Sequence, residues 1–141
     1  MTPKTVLITG ASGFVGKNLR GYLMRKGFRV VTSDLHHSDH DGDVTDYNFV
    51  MNELAQADFE AVIHLTSVVE IEQTFKDPYK TYVVNDFGTL NLLEMASKKG
   101  VERFVYASSA NVYGLPVELP VRETTPFNPR TPYDYSKVIG E

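Results

Sequence analysis

The chain has 141 residues, a net charge of −4 and no cysteine, with 42% hydrophobic and 23% charged residues. That length suits one domain around a single core, here residues 1–141, and the missing cysteines exclude a disulfide framework, a thiolate metal site and a cysteine nucleophile. No basic run invites nucleic acid, and the N-terminal apolar run is too short for a signal peptide or a membrane span, so the expectation is a cytoplasmic protein with no nucleic-acid or membrane partner.

Residues 5–9 (TVLIT) form a β-branched run apolar on both faces, as a buried parallel strand requires, and Gly10 ends it. From Gly13 to Lys26 the apolar residues Phe14, Val15, Leu19, Leu23 and Met24 recur at helical spacing, with Gly27 placed to stop the helix. Residues 29–33 (RVVTS) predict a second strand closed by Asp34. Too few residues lie between Asp34 and Asp43 for a helical crossover, so that stretch predicts a loop with a very short third strand. A weak helix is expected over 46–55 and a strand over 61–65 (AVIHL). A long helix over 78–99 follows, carrying Val83, Phe87, Leu90, Leu93 and Ala96 and ended by Gly100. Residues 103–107 (RFVYA) read as another strand, 115–132 as a proline-rich loop, and a last helix starts near Tyr133. Strands alternating with helices in this way mean βαβ units: an α/β, Rossmann-type doubly wound parallel sheet of about five strands.

The turn between the first strand and helix is Thr9-Gly10-Ala11-Ser12-Gly13-Phe14-Val15-Gly16. Gly10 permits a tight turn, Gly13 lets the backbone approach a pyrophosphate, and Gly16 lets the helix pack close to the sheet. The helix N-terminus then offers unpaired amides and a positive dipole end to phosphates. Asp34, at the end of the second strand, stands where an acidic side chain accepts hydrogen bonds from the adenosine ribose. Its charge would repel a 2′-phosphate, which favours NAD over NADP.

The Thr-Gly-x-x-Gly-x-x-Gly spacing resembles the short-chain dehydrogenase/reductases, and five further blocks resemble their extended branch, the nucleotide-sugar epimerases and dehydratases. Gly42-Asp43-Val44-Thr45-Asp46 looks like the adenine-contacting segment, with Asp43 and Val44 at the contacting positions. Val62 to Ser67 (VIHLTS) looks like the strand that passes beneath the cofactor, which implies contacts from Leu65 and Thr66; the family more often has two alanines where Thr66 and Ser67 stand here. Asn85 to Glu94 (NDFGTLNLLE) matches the long-helix block, with Asn85 as its asparagine. Phe104 to Gly114 (FVYASSANVYG) matches the catalytic-serine block, and Pro132 to Lys137 (PYDYSK) the Tyr-x-x-x-Lys block.

The resemblance implies a cofactor set of Gly10, Ser12, Gly13, Phe14, Val15, Gly16, Asp34, Asp43, Val44, Leu65, Thr66, Asn85, Tyr133 and Lys137 around NAD, and a catalytic set of Ser109, Tyr133 and Lys137, with Ser109 preferred to Ser108. Tyr133 and Lys137, four apart, share one face of a helix. A phenol is a poor base at neutral pH, and a neighbouring ammonium favours its phenolate. Tyr133 would take a hydroxyl proton while hydride leaves the carbon beneath. Lys137 would also hold the nicotinamide ribose, and Ser109 would bond the substrate oxygen. Tyr22 and Lys26 repeat the spacing at the far end of the first helix and are read as structural.

Dehydratases of the family carry acidic residues just after the catalytic serine or threonine; here stand Ala110 and Asn111, so dehydration is disfavoured. The block most resembles the family's nucleotide-sugar 4-epimerases, with an NAD-dependent alcohol or sugar dehydrogenase, or a non-catalytic NAD-binding module, as alternatives. Family members run to about twice this length, so the chain is expected to stop before the C-terminal substrate domain, with an open edge on the last strand. The resemblance further implies a homodimer built on the long helix and the Tyr-Lys helix. His36, His37 and His40 with Asp39 and Asp41 are read as a solvated loop, leaving no metal site, and His64 as structural.

Overall fold

In the computed structural model, which describes residues 4–141, five parallel strands form one sheet in the order β3-β2-β1-β4-β5. They are β1 (Thr5–Thr9), β2 (Arg29–Asp34), β3 (His40–Asp41), β4 (Ala61–His64) and β5 (Arg103–Tyr106). β1 is buried at every residue, as its doubly apolar sequence predicts. β3 is two residues long and pairs with β2 through Ser33 and Asp34, the short third strand expected from the missing crossover.

Register explains the core. Val31, Leu7, Val62 and Phe104 lie opposite one another across four strands, and two residues further along the same face stand Ser33, Thr9, His64 and Tyr106. The first row is apolar and is covered by Phe49, Val50, Leu54, Leu92 and Met95. The second row, at the carboxyl ends of the strands, is polar and lies under the candidate site. On the opposite face Ile8, Ile63 and Val105 share a row, and Val105 is 45% exposed.

Among the described residues five α-helices accompany the sheet: α1 (Phe14–Arg25), α2 (Ile71–Lys76), α3 (Pro78–Tyr82), α4 (Gly88–Lys99) and α5 (Pro132–Gly140). The helix expected over 46–55 is instead a wide π turn, Phe49–Glu53, running into a 3-10 turn, Leu54–Gln56. Phe49 and Leu54 are five apart and both enter the core, a spacing that a π turn aligns and an α-helix does not. The long helix likewise holds a π turn, Val83–Phe87, between α3 and α4. Its ends follow the sequence: Asp77 Oδ1 accepts from the Lys80 amide with Pro78 in the first turn, and Gly100 closes it at φ 72°. Two elements were not anticipated. The short helix α2 buries only Thr74 and has no side-chain cap, and a 3-10 turn, Ala110–Tyr113, follows β5. No helix among the described residues is long and apolar enough to cross a membrane.

Candidate dinucleotide and catalytic site

The chain runs outward from β1 to β2 and β3, then crosses back to β4 on the other side of β1. This reversal opens a crevice beyond the carboxyl ends of β1 and β4, where open α/β sheets bind ligands. The glycine turn closes one wall of it. Gly10 has φ +69°, and a Cβ there would stand 2.7 Å from the Thr66 nitrogen and 2.8 Å from the Leu65 carbonyl carbon. Only glycine allows the turn to rest directly on the end of β4. At Gly16 a Cβ would come within 2.4 Å of the Gly10 oxygen, so α1 sits hard on the turn that starts it.

Gly13 precedes α1 and has no side chain to cap it, and the first turn holds no acidic residue. Helix geometry leaves the Phe14 and Val15 amides without carbonyl partners, and both residues are exposed, at 85% and 57%. Asp34 is tied to the turn: its Oδ2 accepts from the Ser12 amide at 2.8 Å and its Oδ1 from the Leu35 amide at 2.8 Å. The Ser12 hydroxyl donates to the His36 carbonyl at 2.9 Å. Each Asp34 oxygen keeps a lone pair for a further donor. Thr66 Oγ1 is buried without a partner beneath the turn. Free amides, an oriented carboxylate and an orphaned hydroxyl at the switch point fit a dinucleotide with two ribose hydroxyls and a pyrophosphate.

At the base end, Asp43 is exposed and its Oδ1 accepts from the Thr45 amide at 2.8 Å. The Val44 side chain lies in the core at 3% exposure, touching the position where Gly88 lacks a Cβ, and its carbonyl accepts from Asn91 Nδ2 at 3.0 Å. Leu65 carries β4 onward, its amide donating to the Thr9 carbonyl at 3.1 Å. Asn85 is 1% exposed, and its amide group is fully engaged. Oδ1 accepts from the Val68 amide at 2.7 Å, while Nδ2 donates to the Val68 carbonyl at 3.2 Å and to Ser136 Oγ at 2.9 Å. It therefore joins the loop after β4 to α5 rather than offering a free group.

α5 presents Tyr133 and Lys137. A capping box fixes its start: Thr131 Oγ1 accepts from the Asp134 amide at 3.1 Å, and Asp134 Oδ2 accepts from the Thr131 amide at 3.0 Å. Lys137 is 3% exposed, and its Nζ donates to the Ala107 carbonyl at 3.0 Å. Its Nζ also lies 4.9 Å from the Tyr106 ring centre and 5.6 Å from that of Tyr133. Burial lowers the Lys137 ammonium to about 8, with Asp86 pulling it back up. Lys26 stands at the same 5.6 Å from Tyr22, but on an exposed helix end; burial, and not spacing, sets the second pair apart. Ser109 begins the 3-10 turn, its Oγ accepting from the Asn111 amide at 3.2 Å, and its hydroxyl proton stays available. Ser108 instead donates to Glu141 Oε1. α5 packs against the turn that Ser109 begins, which brings the serine and Tyr-Lys blocks to one place.

His64 is structural, as the sequence suggested. It is 1% exposed, with Nδ1 2.6 Å from Thr9 Oγ1 and Nε2 2.9 Å from Thr89 Oγ1. Thr89 donates its own proton to the Asn85 carbonyl, so Nε2 carries the ring proton and Nδ1 accepts. Burial lowers the imidazole to about 4. In the histidine loop, Asp39 Oδ2 accepts from Thr32 and Asp41 Oδ1 from Ser38. Among the described residues no three metal-ligating side chains converge. Residues that sequence reading passed over are Thr131 and Asp134, whose Thr-x-x-Asp spacing is a capping signature, and Ser136 and Asp86, which carry no pattern of their own.

Comparison with known proteins agrees with this geometry. A family model described as "NAD dependent epimerase/dehydratase family" matches residues 6–141. A UDP-glucose 4-epimerase of Rhizobium leguminosarum bv. trifolii is 33% identical across 100% of this chain and 46% of its own length. One from Streptococcus mutans is 33% identical over 96% of this chain and 45% of its own. Among solved structures, the UDP-glucose 4-epimerase of Bifidobacterium longum, in complex with NAD+ and UDP, superposes with a TM-score of 0.89 at 31% identity, covering 97% of this chain and 47% of that one. The chain thus spans just under half the length of the relatives it matches. With the match running through both the glycine turn and the Tyr-Lys helix, the chain belongs to the NAD-dependent epimerase/dehydratase family.

Proposed function

We propose that this chain is the NAD-binding portion of a nucleotide-sugar 4-epimerase, working as a homodimer, with Ser109, Tyr133 and Lys137 as its catalytic residues. The observation that carries the reading is the buried Lys137 ammonium beside the Tyr106 and Tyr133 rings, bonded to the Ala107 carbonyl just past the carboxyl end of β5. NAD, when bound, supplies a reversible hydride acceptor. The Phe14 and Val15 amides would hold its pyrophosphate, Asp34 its adenosine ribose, and Thr66 Oγ1 would find a partner. Tyr133 would take the proton of a sugar hydroxyl at Oη, with the Lys137 ammonium, charged at neutral pH, 5.6 Å from its ring centre. Ser109 Oγ donates to the same oxygen and holds it in line.

Isomerisation is favoured over elimination because the residues after Ser109 are Ala110 and Asn111, neither of them acidic, and the Asn111 amide turns back onto Ser109 Oγ. Homodimerisation is supported by the apolar residues left exposed on α4 and α5. Titration of the purified chain with NAD and NADP by calorimetry tests the cofactor site: saturable NAD binding with NADP at least tenfold weaker is expected, and no binding of either sinks the reading. A UDP-sugar given to a full-length version then decides the reaction. Isomerised sugar without net NADH is the epimerase outcome, while stoichiometric NADH means a dehydrogenase.

A further inference from the structure

Lys137 poses an electrostatic problem. A buried ammonium is unstable unless an opposite charge lies close, and among the described residues its one hydrogen bond, to the Ala107 carbonyl, is to a neutral group. The groups facing it are few. His64 on β4 is neutral, with both ring nitrogens engaged. Tyr106 on β5, pushed up to about 12 by burial, and Tyr133 on α5 present rings. Glu141, at the end of α5, is exposed and bonded to Ser108. That leaves Asp86, on the π turn that α5 packs against.

Asp86 is itself unexplained. Its Oδ1 is buried without a hydrogen-bond partner, and so is the Tyr106 hydroxyl. A carboxylate oxygen in that state is costly unless a nearby charge compensates it. Its placement is fixed from both sides: Asn85, the preceding residue, donates to Ser136 Oγ, and Ser136 precedes Lys137. The π turn thus holds Asp86 against the segment of α5 that bears the lysine. We propose that Asp86 is the counter-ion of Lys137, a positioning residue that keeps the buried ammonium charged and hence able to act on Tyr133. Only its last clause, the action on Tyr133, rests on the function proposed above.

Burial pushes Asp86 up to about 6 while Lys137 pulls it down, and Lys137 itself titrates at about 8. The two charges coexist between those values. Below about 6 the carboxyl is neutral, and above about 8 the amine is neutral.

The test is a pH titration of lysine Cε resonances in 13C-labelled chain, with Lys137 assigned by its absence in Lys137→Arg. In Asp86→Asn the Lys137 midpoint should fall by about one pH unit or more, and Asp86→Glu should restore most of it. An unmoved midpoint in Asp86→Asn, or an equal fall in both variants, overturns the proposal. Should Asp86→Asn fail to fold, the unmodified chain decides: a second inflection of the Lys137 resonance near pH 6 supports the pair, and a flat curve there overturns it. NAD titration of the same samples is scored separately, so a chain that shows the coupling yet binds no NAD rejects the cofactor reading while leaving the electrostatic coupling standing.

Discussion

At the scale of single residues, His64 shows how a histidine in a motif can be structural and still matter to the site. Its ring links Thr9 at the end of β1 to Thr89 on α4, and through Thr89 to the backbone of Asn85. The imidazole must be neutral to accept from Thr9, so its native value of about 4 lies below the ordinary 6.5. Between those values the unfolded chain binds the proton more readily than the folded one. The stability His64 contributes is therefore full above pH 6.5 and is lost as pH falls toward 4, by about 3 kcal/mol. Asp86, with its raised value, works in the opposite direction over part of that range. The contribution must accordingly be read as a difference: denaturant unfolding of the parent and of His64→Gln should converge as pH drops from 7 to 4. Parallel curves would mean that the ring is not held neutral.

The residue scale also shows what the sequence could reveal. Gly10 and Gly16 were legible because close backbone approach leaves no alternative to glycine, and Asp34 because strand ends place it. Lys137 and Tyr133 were legible only through a block pattern, since Tyr22 and Lys26 repeat both spacing and distance. Asp86 was not legible at all. Its significance comes from a π turn and from a neighbour fifty-one positions away, and neither leaves a periodic trace. Val44 shows a limit of another kind: a contact position implied by a motif does not say whether its side chain is free, and here that side chain is buried in the core.

At the scale of elements, α5 is the least self-sufficient part of the site. It has nine residues, too few for a stable isolated helix, so its start depends on the Thr131–Asp134 box and its position on the Asn85–Ser136 bond. Thr131→Ala should cost about 1 kcal/mol of stability. NAD affinity should also fall, because Tyr133 lies in the turn that the box sets. Thermal unfolding and calorimetry on the same variant check both; a stability loss with unchanged affinity would show that the cofactor site does not need α5 in register. The elements that sequence reading misjudged fail for a related reason. The 49–56 segment follows a five-residue spacing that helical periodicity does not describe, and α2 buries one residue, which leaves no stripe to detect. β1 was clearer, since a run buried on both faces needs no periodicity to be recognised.

At the scale of the molecule, the apolar surface is unevenly distributed. Phe87, Leu90 and Leu93 along the π turn and α4, with Tyr135 and Ile139 on α5, are 40–62% exposed and line adjoining helix faces. A second copy packed there would cover them. Sedimentation of the chain at micromolar concentration should give a dimer, and Leu90→Glu should return it to a monomer without lowering its thermal midpoint in dilute solution. A monomer in the parent protein would leave that surface without its proposed occupant.

The order β3-β2-β1-β4-β5 also bears on how the protein is made. Of the five described strands β1 is synthesised first, yet it becomes the middle of the sheet and is buried at all five residues. Its partner β2 follows closely, but its other flank stays bare until Ala61 to His64 have been synthesised. At ~5–20 residues per second, that interval lasts several seconds. For that time the most apolar of the five described strands has one unsatisfied edge, and a nascent-chain chaperone would find its target in TVLIT.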